Sequence, residues 1–292
     1  MKQLLILSGK GGTGKTTVAS AFIKLSGAKA YADCDVDAPN LHLIMNHHNP
    51  ILTDYYGMKK ALIDTNKCVQ CDLCKQNCRF DAIYLDDSYK INNYECEGCG
   101  VCEVICPVNS VSMVDFKAGD LMLYSNDDTV FSTAELQMGS GNSGMLVTEV
   151  KKQMKLNSNA ELAIIDGSPG IGCPVIASIS GVNLVVIVAE PSVSGISDMK
   201  RIIETSKSFK TKLAVCINKY DTNKEITYEI EMYCMENNID FIGKIPFDLC
   251  AVKAINNGYT IVDLDCEAGR AVRKIYTKAI DMIEKNEWRN KL

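Results

Sequence analysis

The sequence predicts a doubly wound, mostly parallel α/β sheet into which a small cysteine-rich module is inserted. Three observations carry this reading. A glycine-rich loop lies between an N-terminal apolar strand and a helix, near-continuous apolar runs alternate with helical stretches from Glu161 onward, and one four-cysteine pattern occurs twice between Leu62 and Phe116. Apolar runs without polar alternation suit strands buried on both faces of a parallel sheet. Their alternation with helices is the pattern of a doubly wound sheet.

In chain order, Lys2–Leu7 is the first strand, Lys15–Leu25 the first helix and Ala28–Ala32 the second strand. Further on, ELAIID, VNLVVIVAE, KLAVCIN and DFIGKI read as strands, with helices at Gly195–Ser208, Asn223–Glu236 and Cys266–Glu287. Asp120–Ser143 reads as a connecting hairpin and loop. Within the cysteine-rich stretch helical periodicity disappears, and Cys68, Cys71, Cys74 and Cys78 recur at one constant offset as Cys96, Cys99, Cys102 and Cys106. The α/β pattern then resumes. The expected organisation is therefore a main domain of residues 1–60 plus 117–292 and an inserted domain of residues 61–116.

Composition narrows the function classes. A chain of 292 residues, 47% hydrophobic and 23% charged, can bury a sizeable core. A net charge of −5 without a long basic run gives no electrostatic footprint for nucleic acid. No apolar run reaches the ~20 residues of a membrane span, and no cleavable leader is visible, so a cytoplasmic location is expected. Fourteen cysteines then point to metal or redox chemistry rather than to a disulfide scaffold.

Gly9-Lys10-Gly11-Gly12-Thr13-Gly14-Lys15-Thr16-Thr17 fulfils G-x-x-x-x-G-K-[ST] between a strand and a helix. The glycines let backbone N–H groups converge on phosphate oxygens at a helix N-terminus. Lys15 would reach the β and γ phosphates and the Thr16 hydroxyl would hold Mg²⁺. With its second lysine, Lys10, the run KGGTGKTT resembles the MinD/ParA and nitrogenase iron-protein class of P-loop ATPases. That resemblance implies ATP as ligand, hydrolysis to ADP and phosphate, and a nucleotide-sandwiched homodimer in which Lys10 reaches the partner's phosphates. Asp33-Cys34-Asp35 looks like the first switch, with Asp35 positioning the attacking water. Asp166-Gly167-Ser168-Pro169-Gly170 looks like the second, with Asp166 linked to Mg²⁺. Asn218-Lys219-Tyr220-Asp221 resembles the base-contacting segment, and Ile245-Pro246-Phe247-Asp248 the loop near adenine, where Pro246 would pack. All four end strands, the edge at which open α/β sheets bind ligands.

In the insert, C-x₂-C-x₂-C-x₃-C occurring twice is the bacterial ferredoxin spacing, in which the fourth cysteine of each run ligates the other cluster. Cys68, Cys71, Cys74 and Cys106 are thus assigned to one [4Fe–4S] cluster, and Cys96, Cys99, Cys102 and Cys78 to a second. Zinc is the competing reading, because C-x₂-C is also a knuckle motif. Proline follows Cys106, whereas Arg79 follows Cys78, a cation that would raise the potential of the cluster bound there. Cys216, Cys234, Cys250 and Cys266 read as core residues, and Cys34 lies in the first switch. Cys173 has the spacing of a cysteine that holds an intersubunit cluster in the nitrogenase iron protein, but Gln137–Leu146 contains no second ligand; it is read as structural or redox-neutral. His47-His48 reads as a solvated pair. The stripe Val272, Ile275, Ala279 and Ile283, with Trp288 near its end, reads as a last helix on the sheet, with a membrane-surface helix as the alternative.

Together these features resemble MinD-superfamily P-loop ATPases that carry an inserted ferredoxin domain. The resemblance implies a P-loop NTPase fold with a small α+β ferredoxin-like insert, working as a nucleotide-gated dimer with a protein partner. Two functions remain open: coupling of ATP hydrolysis to electron transfer, and maturation of a metal centre or organisation of partners as a scaffold.

Overall fold

The computed structural model describes residues 1–126, 128–209 and 211–284. β1 (Lys2–Leu7) leads through the glycine loop into α1 (Lys15–Ser26), β2 (Ala30–Asp33), the short α2 (Leu41–Ile44) and β3 (Ile51–Tyr56). The cysteine-rich stretch supplies β4 (Lys60–Ile63), α3 (Leu73–Gln76), β5 (Ile83–Leu85), β6 (Tyr89–Ile91), α4 (Val101–Val104) and β7 (Val111–Val114). The chain continues as β8 (Lys117–Ser125), β9 (Val130–Leu136), α5 (Ser143–Leu156), β10 (Leu162–Asp166) and α6 (Cys173–Ile179). It closes with β11 (Leu184–Ala189), α7 (Val193–Lys207), β12 (Lys212–Asn218), α8 (Lys224–Glu236), β13 (Asp240–Ile245), α9 (Leu249–Asn256) and α10 (Glu267–Glu284). Trp288, expected near the end of the last helix, lies outside the described residues.

The main sheet has nine strands in the order β13-β12-β11-β1-β10-β2-β9-β8-β3. Every pairing from β13 to β9 is parallel, and β8 and β3 are added antiparallel. The fold is thus α/β with a mostly parallel central sheet. The apolar runs of β1, β10 and β11 are buried on both faces. One face packs on α5, α6, α7 and α8. The other packs on α1 and α10, where Val272, Ile275, Ala279 and Ile283 form the buried stripe. No helix among the described residues is long and apolar enough to cross a membrane.

The stretch after Asp120 is more than a connection. β8 and β9 do form a hairpin, but β9 also joins β2 in parallel and so extends the main sheet. Buried Ser132 and Thr133 interrupt the apolar signal there, and the Ser132 hydroxyl is satisfied by Gln153 Oε1 at 2.7 Å. His47 also departs from expectation. It is half-buried, stacks on Phe131 at 5.2 Å between centroids and hydrogen-bonds Tyr31 Oη through Nε2, while His48 stays exposed beside Asn46.

The cysteine-rich stretch grows from the tip of the β3–β8 hairpin. Tyr56 pairs with Lys117 at the end of that ladder, and β4 then pairs antiparallel with β7, from Lys60↔Val114 to Ile63↔Val111. The stretch has its own small cluster of Ala61, Ile63, Ala82, Ile83, Tyr89, Cys96 and Val111, with Cys68, Cys74, Cys78, Cys102 and Cys106 packed against it.

Phe131 is fully buried and stacks on Tyr31, Tyr124 and His47. Phe131→Ala should lower unfolding stability by about 3–5 kcal/mol, the range for a truncated core aromatic. An unchanged denaturant midpoint would show that this stack does not hold the antiparallel extension on the sheet.

Candidate functional site

The C-terminal ends of β1, β2 and β10 meet at one cleft. Ser8 Oγ donates to the Lys10 carbonyl at 2.9 Å, which curls the loop after β1. Gly12 and Gly14 take φ of 80° and 90°, values that side chains seldom adopt. A Cβ on Gly14 would lie 2.2 Å from Asn218 Nδ2, and that amide donates to the Thr13 carbonyl at 2.7 Å. Asn218 therefore braces the loop from the end of β12. Gly9 is equally constrained, because a Cβ there would lie 2.1 Å from Asp198 Cβ on α7.

Lys15 opens α1, is 6% exposed, and places Nζ 2.6 Å from Asp166 Oδ1. Burial alone would lower its pKa, but the charges of Asp166, Asp33 and Asp35 outweigh that and raise it. The ammonium is therefore fixed as a cation. Asp166 Oδ2 is buried and has no hydrogen-bond partner. Beside it, Asp33 accepts from the backbone N–H groups of Asp35, Asn40 and Leu41, each at 3.0 Å, so it shapes the loop after β2. Burial, with Asp166 nearby, pushes the Asp33 carboxyl up to about 7. The two loops are also joined directly: Cys34 N–H donates to the Asp166 carbonyl at 2.8 Å, and Ser168 Oγ donates to the Cys34 carbonyl. Burial drives the Cys34 thiol up to about 12, so it stays neutral.

Lys10, Gly11, Gly12, Gly14, Lys15, Thr16, Thr17 and Asp35 line one cleft of about 640 Å³, within the size range of small-molecule sites. A second pocket of about 160 Å³ adjoins it and shares Gly12, Gly14, Thr17 and Ile255. Its walls include Asn218, Pro246, Phe247 and Val252. Asp221 ties its two loops, accepting from Phe247 N–H at 2.7 Å. Thr13 is buried behind the loop, its hydroxyl without a partner.

Lys10 does not face the cleft freely. Its Nζ lies 3.0 Å from Glu190 Oε2, 3.2 Å from Ser192 Oγ and 3.3 Å from Ser194 Oγ. Glu190 also pairs with Lys219 at 3.1 Å. Partial burial would raise the Glu190 pKa, but hydrogen bonds from both lysines hold it below the ordinary range. Glu190 was legible as the carboxylate that ends the run VNLVVIVAE, yet only the fold brings it to the loop.

The thiols of the cysteine-rich stretch separate into two cavities. Cys68, Cys71, Cys74 and Cys106 line one, and Cys78, Cys96, Cys99 and Cys102 the other. Cys78 and Cys106 have each crossed to the opposite set. Cys106 Sγ accepts from Ser110 N–H at 3.2 Å. Among the described residues, no three His, Cys, Asp or Glu side chains close on a point that a single ion would occupy. Of the other cysteines, Cys216, Cys234 and Cys266 are buried, Cys250 is half-buried, and Cys173 is exposed at the start of α6.

The sequence matches the CobQ/CobB/MinD/ParA nucleotide binding domain over residues 4–261. The chain belongs to that family. Its nucleotide-binding P-loop ATPase fold spans the matched length. An uncharacterised protein of Methanocaldococcus jannaschii is 32% identical over 287 residues, 96% of this chain and 97% of its own. An iron–sulfur cluster carrier protein of Pyrococcus furiosus is 24% identical over 304 residues, covering 97% of this chain and 86% of its own. Among solved structures, the septum site-determining protein MinD complexed with Mg-ADP from Pyrococcus horikoshii superposes with a TM-score of 0.57 at 17% identity, over 95% of each chain.

Gly14→Ala should weaken nucleotide binding by at least about tenfold, ~1.4 kcal/mol, because its Cβ displaces the Asn218 brace. Calorimetric titration with Mg-ADP measures this. Affinity equal to that of the parent chain would show that Asn218 does not set the loop.

Proposed function

We propose that the chain is an ATP-hydrolysing iron–sulfur protein, a nucleotide-gated homodimer that couples hydrolysis to electron transfer through an inserted two-cluster ferredoxin domain at residues 61–116. The observation that carries this reading is the crossed division of eight thiols between two cavities, in a chain whose sheet edge also bears a phosphate loop. Zinc would draw four sulfurs onto one point at about 2.3 Å each, whereas thiols spread around a cavity suit a larger inorganic core. When bound, two [4Fe–4S] clusters would supply one-electron chemistry at low potential. An ATPase with so many reduced thiols fits a cytoplasmic setting.

In the nucleotide site, backbone N–H groups from Gly11 to Gly14 receive phosphate oxygens, and Lys15 leaves Asp166 for the β and γ phosphates. Thr16 and Asp166 would hold Mg²⁺; the orphaned Asp166 Oδ2 and a Thr16 that lines the cleft suit that ion. Asp35 lines the cleft where it can orient the attacking water. Asn218 and Pro246 flank the base in the smaller pocket. Thr17 lies in both pockets, where sugar and phosphates would join. Glu190, Ser192 and Ser194 keep Lys10 within its own subunit until a second copy offers its phosphates.

A second reading is favoured by the relatives named as iron–sulfur cluster carriers. In it the chain matures a metal centre or organises partners, and its own clusters serve structure or sensing. An anaerobic redox titration followed by EPR, with Mg-ATP, Mg-ADP and no nucleotide, separates the two. A nucleotide-dependent potential is expected for gated electron transfer; superimposed curves with both cluster signals present would move the carrier reading ahead.

Two variants check the assignments. Lys15→Ala should abolish ATP turnover, and surviving ATPase activity would place the site elsewhere. Cys78→Ala should halve the iron content from about eight atoms per chain. Retention of the full complement would remove Cys78 from the ligand set.

A further inference from the structure

Two close backbone approaches and two short loops lie between the nucleotide cleft and the second thiol set, with Tyr94, 71% exposed, at the far end. The loop of residues 137–142 leaves β9 and enters α5. At Gly139, φ is 75°, and a Cβ there would lie 2.8 Å from Tyr94 Cδ1, so the tyrosine ring rests directly on the glycine backbone. Tyr94 lies two residues before Cys96, the first cysteine of the second run, with Glu95 between them. Glu97, immediately after Cys96, places Oε2 3.9 Å from where a Cβ on Gly141 would sit.

At its other contact, α5 meets the loop that begins at Asp166. Gly144 in its first turn approaches Cys173 so closely that a Cβ would stand 3.0 Å from the Cys173 carbonyl oxygen and 3.1 Å from its Cβ. Cys173 opens α6, directly after Gly167–Gly172. Lys151, buried in the middle of α5, donates to the carbonyls of Ser178 at 2.6 Å, Ser180 at 2.7 Å and Ala177 at 3.2 Å, at the far end of α6. The two helices are therefore in close contact at both ends of α6. A packed unit of this kind transmits a displacement rather than absorbing it.

We infer that Tyr94 is a positioning residue that couples the nucleotide state of the Asp166 loop to the geometry of the thiol set Cys78, Cys96, Cys99 and Cys102. This rests on the nucleotide-switch and cluster reading proposed above. The element with two states is the Asp166 loop, because Asp166 is paired with Lys15 until nucleotide draws that lysine away. A shift of Cys173 is passed through Gly144 to α5, then through residues 137–142 to the Tyr94 ring, and from there to the backbone that carries Cys96. The ring does this by packing, so Phe serves in its place and Ala does not.

Hydrogen exchange of the iron-loaded protein, with Mg-ADP, with Mg-AMPPNP and without nucleotide, tests the coupling. In the parent chain, exchange in residues 92–102 should differ between nucleotide states by about fivefold, the low end of ordinary site-to-site coupling. In Tyr94→Ala that difference should vanish while residues 8–17 remain protected by nucleotide, and Tyr94→Phe should restore it. If Tyr94→Ala loses its iron, Gly139→Val makes the same comparison, since its side chain displaces the ring from its seat while the sequence of residues 61–116 stays intact. Protection of residues 8–17 with a silent 92–102 segment in the parent chain overturns the coupling alone. So does a response undiminished in both Tyr94→Ala and Gly139→Val. No protection of residues 8–17 by nucleotide would sink the nucleotide reading itself, and the coupling with it.

Discussion

The buried ion pair between Lys15 and Asp166 is the constraint around which the rest of the site is arranged. Two charges at 6% and 0% exposure repay little of their desolvation by mutual attraction. The pair is also unbalanced, because Asp33 stands behind it with a second carboxylate whose pKa is pushed up by burial and by Asp166. Asp33 is held by three backbone N–H groups, whereas Asp166 keeps one oxygen without a partner. The excess of negative charge and the orphaned oxygen both favour an added cation. Phosphates would in turn draw Lys15 toward them. Under the proposed function, Mg-nucleotide would replace this internal pairing with a complete one, and the loops after β2 and β10, bonded to each other through Cys34 and Ser168, would respond together.

The same economy of geometry governs where the cysteine-rich stretch enters. Tyr56 and Lys117 are already neighbours at the end of the β3–β8 ladder, so the inserted residues replace a hairpin turn without separating paired strands. Closing a long loop costs little when its ends are held at ladder distance. β4 and β7 continue the pairing into the insert, and buried Lys60 at the start of β4 donates to the Cys96 carbonyl. The insert is thereby tied to its base beside the second thiol set. That placement brings Tyr94 within reach of Gly139.

Much of this was legible in the sequence, for identifiable reasons. The parallel strands announced themselves because burial on both faces leaves unbroken apolar runs, as in LVVIVA of β11. The phosphate loop was legible because its backbone geometry demands glycine at fixed positions. The edge of the sheet was harder to read. β3 is largely exposed and so carries Ile51 and Leu52 at its surface beside Asp54, and β9 buries Ser132 and Thr133. His47 looked solvated because its partners, Tyr31, Tyr124 and Phe131, come from three different strands. Glu190, Lys151 and Gly144 share this property: their roles depend on long-range contacts to Lys10, the end of α6 and Cys173, which no local pattern encodes.

The crossed thiol sets make the insert interdependent in a way that the simple repeat conceals. Cys78 follows α3 yet faces the cavity of the second run, and Cys106 follows α4 yet faces that of the first. Neither half of the duplication can complete its own site, so the two halves must fold together. Their shared apolar cluster is small, and stretches of this size usually need a staple beyond hydrophobic burial. Under the cluster reading, metal supplies that staple, and the insert becomes ordered only when both sites are filled. The main sheet has two extensive cores of its own and no such dependence. Under that same reading, filled sites would hold in place the surface that Tyr94 presents to Gly139.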